Sequence, residues 1–369
     1  MKRVLLIIPL LLLLFACSSD DDPKFFNAEL TTEIDSLLNE IMAAENLPSI
    51  AVSIEVDGEI YNFCEGYENL AEGTERQLDS QFRIASITKT FTATLILMLA
   101  DEGLLNTDDY LVQYLPDFPN AANITIRNLL MMRSGIADFA NPDFLEIIYN
   151  QPFLEIEHDS LIAMSAALAD DFTDPDVNTV YCNVNYTILG KIVEIVTGND
   201  LRTEYTNRII QPFALEHTYY PEPGDYLLPG TLHGYCWEED HFCDYTELNP
   251  LWSGAAGAMI SDMADLRTYV RWMYYGFNLS LEIQQERLQT IPFYEDIDWF
   301  QYGEGIVKLG GFYGHNGTIF GFCTDMWYQP ETDATVIVSV NRLDLDDNSQ
   351  ATQIFFHLSK IIFPEYVNW

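Results

Sequence analysis

Ser86 and Lys89 are residues whose types and spacing can do chemistry. They lie in residues 82–104, which read as a turn running into a helix. Residues three apart in a helix share a face, so the hydroxyl and the amine can meet. Residues 91–99 are apolar nearly all round, which predicts a buried helix. A buried lysine is costly unless it is paired or its pKa falls. A lysine whose pKa has fallen can take a proton from a serine. Ser86 could also be no more than an N-cap, with Lys89 reaching out to water.

The surroundings of the pair carry more information. The segment Phe82-Arg83-Ile84-Ala85-Ser86-Ile87-Thr88-Lys89-Thr90-Phe91-Thr92-Ala93 resembles the nucleophile segment of the serine β-lactamase-like family. That family includes class C β-lactamases, D-Ala-D-Ala carboxypeptidases and related carboxylesterases. Thr179-Val180-Tyr181-Cys182-Asn183 resembles its Tyr-x-Asn motif, and Gly314-His315-Asn316-Gly317-Thr318 resembles the variant of its third motif in which His replaces Lys.

The resemblance implies roles. Ser86 attacks an acyl carbon, and Lys89 and Tyr181 move its proton. A tyrosine ordinarily titrates near pH 10, so Tyr181 needs a nearby cation, which Lys89 would be. Asn183, as donor and acceptor, can hold Lys89 and bind a substrate amide. His315 assists Tyr181 or the leaving group. Gly317 allows close approach to the strand. Ser86 and Thr318 supply backbone N–H groups as an oxyanion hole. Asn316 belongs to the substrate-binding set, although the hydroxyl often found at its position is missing. Cys182 stands where a small residue is common, Pro175-Asp176 where Pro-Gly is, and Arg133-Ser134-Gly135 where His-Thr often precedes the Ser-Gly.

These residues need a frame. Residues 27–45 have helical spacing. Residues 49–55 and 59–65 read as strands joined by the Asp57-Gly58 turn. Helices are expected over 144–168, 186–197 and 202–210, with a strand-to-helix entry at 124–130. Strands are expected at 312–313, 321–328 and 335–341, with turns at Asn316-Gly317 and 330–333, and a helix at 348–363. The resulting expectation is an α/β fold: an antiparallel sheet formed by both chain ends with flanking helices, plus an inserted mainly helical domain. The resemblance implies the same, with the site in the crevice between the two parts. Residues 28–365 form the hydrolase domain, its sheet from 28–82 and 300–365 and its helical part roughly 83–250.

The chain has 369 residues, 48% hydrophobic, enough for a full core. Its formal charge of −40, from 57 acidic against 17 basic residues, argues against a nucleic-acid face and against docking on anionic lipid through basic residues. The acidic surface keeps the protein soluble. Residues 1–16 read as a signal peptide. Leu14-Phe15-Ala16-Cys17 resembles a lipobox, so Cys17 is the expected lipidation site and membrane anchor. Residues 17–27 form an acidic tether, in which Ser18-Ser19-Asp20-Asp21-Asp22 resembles the export signal of surface lipoproteins of Bacteroidetes-type bacteria. The location expected is extracytoplasmic, on the outer membrane.

Five other cysteines remain, of which Cys236 and Cys243 could bridge. His158, His217, His233, His241 and His357 lack metal-ligand spacing, and Asp344, Asp346 and Asp347 are only faintly like a calcium loop. No metal or cofactor is expected. The reading is a serine hydrolase acting on an amide or ester through an acyl-enzyme, of D-alanyl-D-alanine carboxypeptidase or β-lactamase-related type. A carboxylesterase of the same fold is the alternative. A non-catalytic envelope-binding lipoprotein is the alternative of another class. A mostly neutral His315 grips a carboxylate less well than a lysine would. Its participation predicts a rate that changes with pH in the histidine range.

Overall fold

The computed structural model describes residues 24–226, 232–238, 240–343 and 349–369. The expected signal peptide, Cys17, the aspartates of the tether and Asp344, Asp346 and Asp347 lie outside the described residues.

The strands are β1 (Ser49–Val56), β2 (Glu59–Asn69), β3 (Thr74–Glu75), β4 (Phe82–Arg83), β5 (Tyr235–Glu238), β6 (His241–Asp244), β7 (Ile260–Ser261), β8 (Ile291–Tyr294), β9 (Ile297–Tyr302), β10 (Val307–Leu309), β11 (Phe312–Ile319), β12 (Phe322–Gln329) and β13 (Ala334–Val340). Nine of them form one antiparallel sheet in the order β3-β2-β1-β13-β12-β11-β10-β9-β8. The sheet is built from both ends of the described chain, which join where β1 pairs with β13. Asp57 and Gly58 both have positive φ and close the β1–β2 hairpin, as an Asp-Gly turn should.

Helices Ala28–Ala44 and Gln350–Ile362 pack on one another and on the central strands, and helix Met263–Tyr275 packs on β1, β12 and β13 as well. Central strands so covered lose alternation: every residue of β12 and β13 is buried. The helical part lies between β4 and β7 in sequence. Its core is helix Thr88–Asp101, buried from Thr88 to Leu99. Thr92 donates to the Ala255 carbonyl at 2.6 Å, and Phe91 stacks on Tyr269, so even its polar residues are satisfied.

Four expectations change. The C-terminal half of the sheet begins at Ile291, not near residue 300, and holds six strands rather than three. Asn316-Gly317 is not a turn; it lies inside β11, which continues to Ile319 because β12 pairs with it throughout. The helical stretch after Phe144 is two helices, Pro142–Asn150 and His158–Ala166, broken by Pro152. The segment expected as a helix over 202–210 turns helical at Leu201–Tyr205 and continues as a wider turn to Ile210.

Candidate active site

Ser86 sits in a 3-10 turn, Ala85–Ile87, that feeds helix Thr88–Asp101. Ala85 has φ +46, a left-handed conformation that costs a non-glycine residue on the order of 1–3 kcal/mol and clusters at functional sites. One helical step on, Lys89 is fully buried. Its Nζ lies 2.9 Å from Ser86 Oγ, 2.9 Å from Asn183 Oδ1 and 2.8 Å from the Ala256 carbonyl oxygen. None of these oxygens carries a full charge. Burial therefore dominates and pulls the Lys89 pKa from 10.5 down to about 7, with the carboxylate of Asp138 opposing.

That geometry suits a base. A neutral amine has two N–H groups and one lone pair. With both hydrogens held by Asn183 and Ala256, the lone pair faces the Ser86 hydroxyl. Tyr181 completes the group. Lys89 Nζ lies 4.8 Å from the centre of its ring, and Tyr181 lines the same cavity as Ser86. Tyr181 is 37% exposed, yet its hydroxyl is buried, and burial pushes its pKa well above the usual value. Lys89, not Tyr181, is thus the group that is readily unprotonated near neutrality.

Asn183 opens helix Asn183–Thr197. Its orientation comes from a residue that sequence reasoning missed. Asp138 accepts from Asn183 N at 2.7 Å, Asn183 Nδ2 at 2.9 Å and Val184 N at 3.1 Å. One carboxylate therefore caps the helix and points Asn183 Oδ1 at Lys89. Cys182 is a buried thiol whose pKa burial raises, which makes it inert. Two of the sequence's departures also answer each other. Asp176 adopts φ +64, which aspartate tolerates better than most residues. Arg133 bonds both its carboxylate, at 3.0 Å, and its carbonyl oxygen.

β11 packs directly on the Ser86 turn. A Cβ on Gly317 would lie 2.2 Å from the Ile84 carbonyl oxygen and 3.0 Å from Ser86 N, so only glycine lets strand and turn meet. Thr318 lines the same cavity as Ser86. Two sequence expectations need correction here. Asn316 points to the other face of β11, where its Nδ2 donates to Thr352 Oγ1 at 3.3 Å; it ties the sheet to a helix and does not face the crevice. His315 is buried with both ring nitrogens occupied, Nε2 at 3.1 Å from the Tyr302 hydroxyl and Nδ1 at 2.5 Å from the Asn316 carbonyl oxygen. Burial, with Lys89 nearby, pushes its pKa down to about 3. The ring therefore stays neutral through the range in which a histidine ordinarily titrates.

The cavity at Ser86, of about 200 Å³, is also lined by Phe139, Leu145, Tyr181, Asn183, Trp252 and Ile319. Among the described residues no lysine or arginine lines it. His217, expected to lack metal-ligand spacing, does meet Asp262 and Asp265. There Asp262 caps helix Met263–Tyr275 and Asp265 accepts from Thr218, so the group is already committed to helix capping.

The family model for β-lactamase matches residues 34–359. The chain belongs to the β-lactamase family. Its relatives in that family of serine hydrolases include penicillin-binding protein 4 of Amycolatopsis lactamdurans, 30% identical over 53% of this chain and 49% of that protein. Penicillin-binding protein 4* of Bacillus subtilis (strain 168) is 26% identical over 79% of this chain and 67% of that protein. The chain thus spans about half the length of the first of these relatives. Among solved structures, a D-stereospecific amidohydrolase from Streptomyces sp. superposes with a TM-score of 0.79 at 26% identity, covering 89% of this chain and 98% of that one.

Proposed function

We propose that this β-lactamase-family protein hydrolyses small amides and esters through an acyl-enzyme on Ser86. The observation that carries the reading is the Lys89 amine, buried and 2.9 Å from Ser86 Oγ, with two carbonyl oxygens holding its hydrogens. Neutral Lys89 takes the Ser86 proton as Oγ attacks the carbonyl carbon. The backbone N–H groups of Ser86 and Thr318 receive the developing oxyanion. Tyr181, beside Lys89 and on the same cavity as Ser86, passes the proton from Lys89 on to the leaving group. Water then resolves the ester.

The sequence leaves open a D-Ala-D-Ala-type peptide and a simple ester. The apolar crevice without a cation favours substrates that carry no carboxylate beside the scissile bond. The Streptomyces neighbour is itself an amidohydrolase, which supports the amide half of the reading. A fluorophosphonate should label the protein once, on Ser86, and leave Ser86→Ala unlabelled in intact-mass spectra. Labelling of both or of neither would shift the reading to an envelope-binding protein.

The rate should rise with pH through about 7 as Lys89 loses its proton. The limb belongs to Lys89 and not to His315, so His315→Gln, which cannot titrate, should keep it in kcat/KM profiles from pH 5 to 9. A limb that disappears in that variant would return the proton transfer to the histidine.

Asp138→Asn should lower kcat/KM about 10- to 100-fold, the worth of about 1.5–3 kcal/mol for hydrogen bonds to a charged group. An amide cannot accept all three donors that Asp138 satisfies. The carboxylate also raises the Lys89 pKa, so its loss should move the limb to lower pH. A limb that stays in place would mean that Asp138 only caps the helix.

A further inference from the structure

Tyr302 ends β9, fully buried at 1% exposure. β10 pairs with β11 only as far as Val307 opposite Gly314, so His315 lies just past the paired segment, and Tyr302 reaches it there. The two rings stand perpendicular with centroids 5.9 Å apart. A carbonyl oxygen can only accept, so the 2.5 Å contact of Nδ1 with the Asn316 carbonyl places a hydrogen on Nδ1. In a neutral imidazole Nε2 is then an acceptor, and the Tyr302 hydroxyl, 3.1 Å away, is its donor.

We propose that Tyr302 is a positioning residue: with Nδ1 already held on the Asn316 carbonyl, its hydroxyl occupies the Nε2 lone pair of His315, keeps an imidazolium out of the crevice beside β11, and so selects substrates without a carboxylate next to the scissile bond. The inference deepens the acyl-enzyme reading and rests on it for its substrate half. The groups that face His315 are Lys89 from the buried helix, Tyr181 from the loop before Asn183, and Tyr302 from β9, with Tyr186 behind Tyr302. None is a carboxylate, so nothing on the protein compensates an imidazolium at this place; with Lys89 neutral, as proton transfer from Ser86 requires, a bound carboxylate finds no cation in the cluster.

The arrangement has two consequences. A neutral His315 leaves Lys89 as the one group of the cluster that changes charge near neutrality. Only the form with neutral Lys89 turns over, so selectivity against a carboxylate in kcat/KM follows His315 and does not change with pH, whereas an ordinary histidine would admit such substrates on acidification. Tyr302→Phe removes the donor and leaves Nε2 a buried acceptor without a partner. Nδ1 keeps its hydrogen on the Asn316 carbonyl, so relief comes from binding a proton at Nε2.

Histidine 15N chemical shifts of the full domain test the first half without any variant. The expected result is a protonated Nδ1 and an unprotonated Nε2 on His315 from pH 5 to 8. A protonated Nε2 in the neutral ring overturns the proposal. In Tyr302→Phe the expected result is protonation of Nε2 in the acid range with Nδ1 still protonated; unchanged shifts would also overturn it. The second half is read with D-Ala-D-Ala and its C-terminal amide. Wild type should prefer the amide by a ratio of kcat/KM values that does not change between pH 5 and 8. Tyr302→Phe should lose about tenfold of that preference below pH 6. The same ratio in both proteins would leave Tyr302 a packing residue. Turnover of neither substrate by wild type would defeat the hydrolase reading instead, and the shifts would still decide the tautomer.

Discussion

Ser86→Ala should remove turnover of a p-nitrophenyl acyl ester, with kcat falling on the order of 10⁴- to 10⁶-fold, and Lys89→Met should lower it about 10³- to 10⁴-fold. The two variants differ in what they do to the fold. Ser86→Ala removes one oxygen at the crevice and should melt like wild type. Lys89→Met replaces a fully buried amine by an apolar chain of similar length. Bringing the Lys89 pKa from 10.5 to about 7 corresponds to roughly 5 kcal/mol of penalty against the charged form. Below pH 10.5 wild type carries part of that penalty, and below pH 7 all of it. Met carries none, although Asn183 Oδ1 and the Ala256 carbonyl lose a donor. Lys89→Met should therefore melt no lower than wild type at pH 6 while being nearly inactive. Stability gained as activity is lost is the signature of a group kept for chemistry. Ester hydrolysis that survives in Lys89→Met would remove the lysine from the mechanism. Loss of both activity and fold would make Lys89 a structural residue.

Much of this site is legible in the sequence because its spacing is short-range. Ser86 and Lys89 meet through helical geometry alone. Tyr181 and Asn183 stand at the entry of a helix whose apolar face and Gly198 terminator are plain in the sequence. The parts that are not legible are those set by contacts distant in sequence. The Ala256 carbonyl is backbone, and no residue type announces it. Asp138 is one acid among 57, distinguished only by the three donors it meets across some 45 residues. Tyr302 is a tyrosine in an aromatic-rich strand until His315 is placed beside it.

The elements that depart from expectation have a common cause as well. Asn316-Gly317 carries the strongest hairpin signal in that region, yet pairing along the whole of β12 overrides it. Reading the dipeptide as a turn shortens β11 and hides the alternation that sends Asn316 and His315 to opposite faces. The strands β8 and β9 escape sequence reading because Pro292 and the acidic turn between them break the pattern of a buried strand. They form the sheet edge, where such residues are tolerated.

Gly317 therefore serves the site and not a turn, and Gly317→Ala should show it. The added Cβ would lie 2.2 Å from the Ile84 carbonyl oxygen, 3.0 Å from Ser86 N and 3.2 Å from Ala85 Cβ. Two of these atoms are backbone, and the turn they belong to is already strained at Ala85. Relief must come from withdrawal of β11, which carries Thr318 N–H away from Ser86 N–H. Loss of one oxyanion donor costs about 10²- to 10³-fold in kcat, and overpacking of this kind costs about 1–3 kcal/mol in stability. Gly66→Ala is the control. Its Cβ would meet the Pro48 carbonyl oxygen at the same 2.2 Å, but β2 is separated from β11 by β1, β13 and β12. Gly66→Ala should lose stability and keep kcat per folded molecule; Gly317→Ala should lose both. The measurement is kcat on the ester together with the circular-dichroism melting curve of each variant. Gly317→Ala with wild-type kcat and only a lower Tm would show that the strand needs no close approach to Ser86, and the backbone oxyanion hole would have to be sought elsewhere.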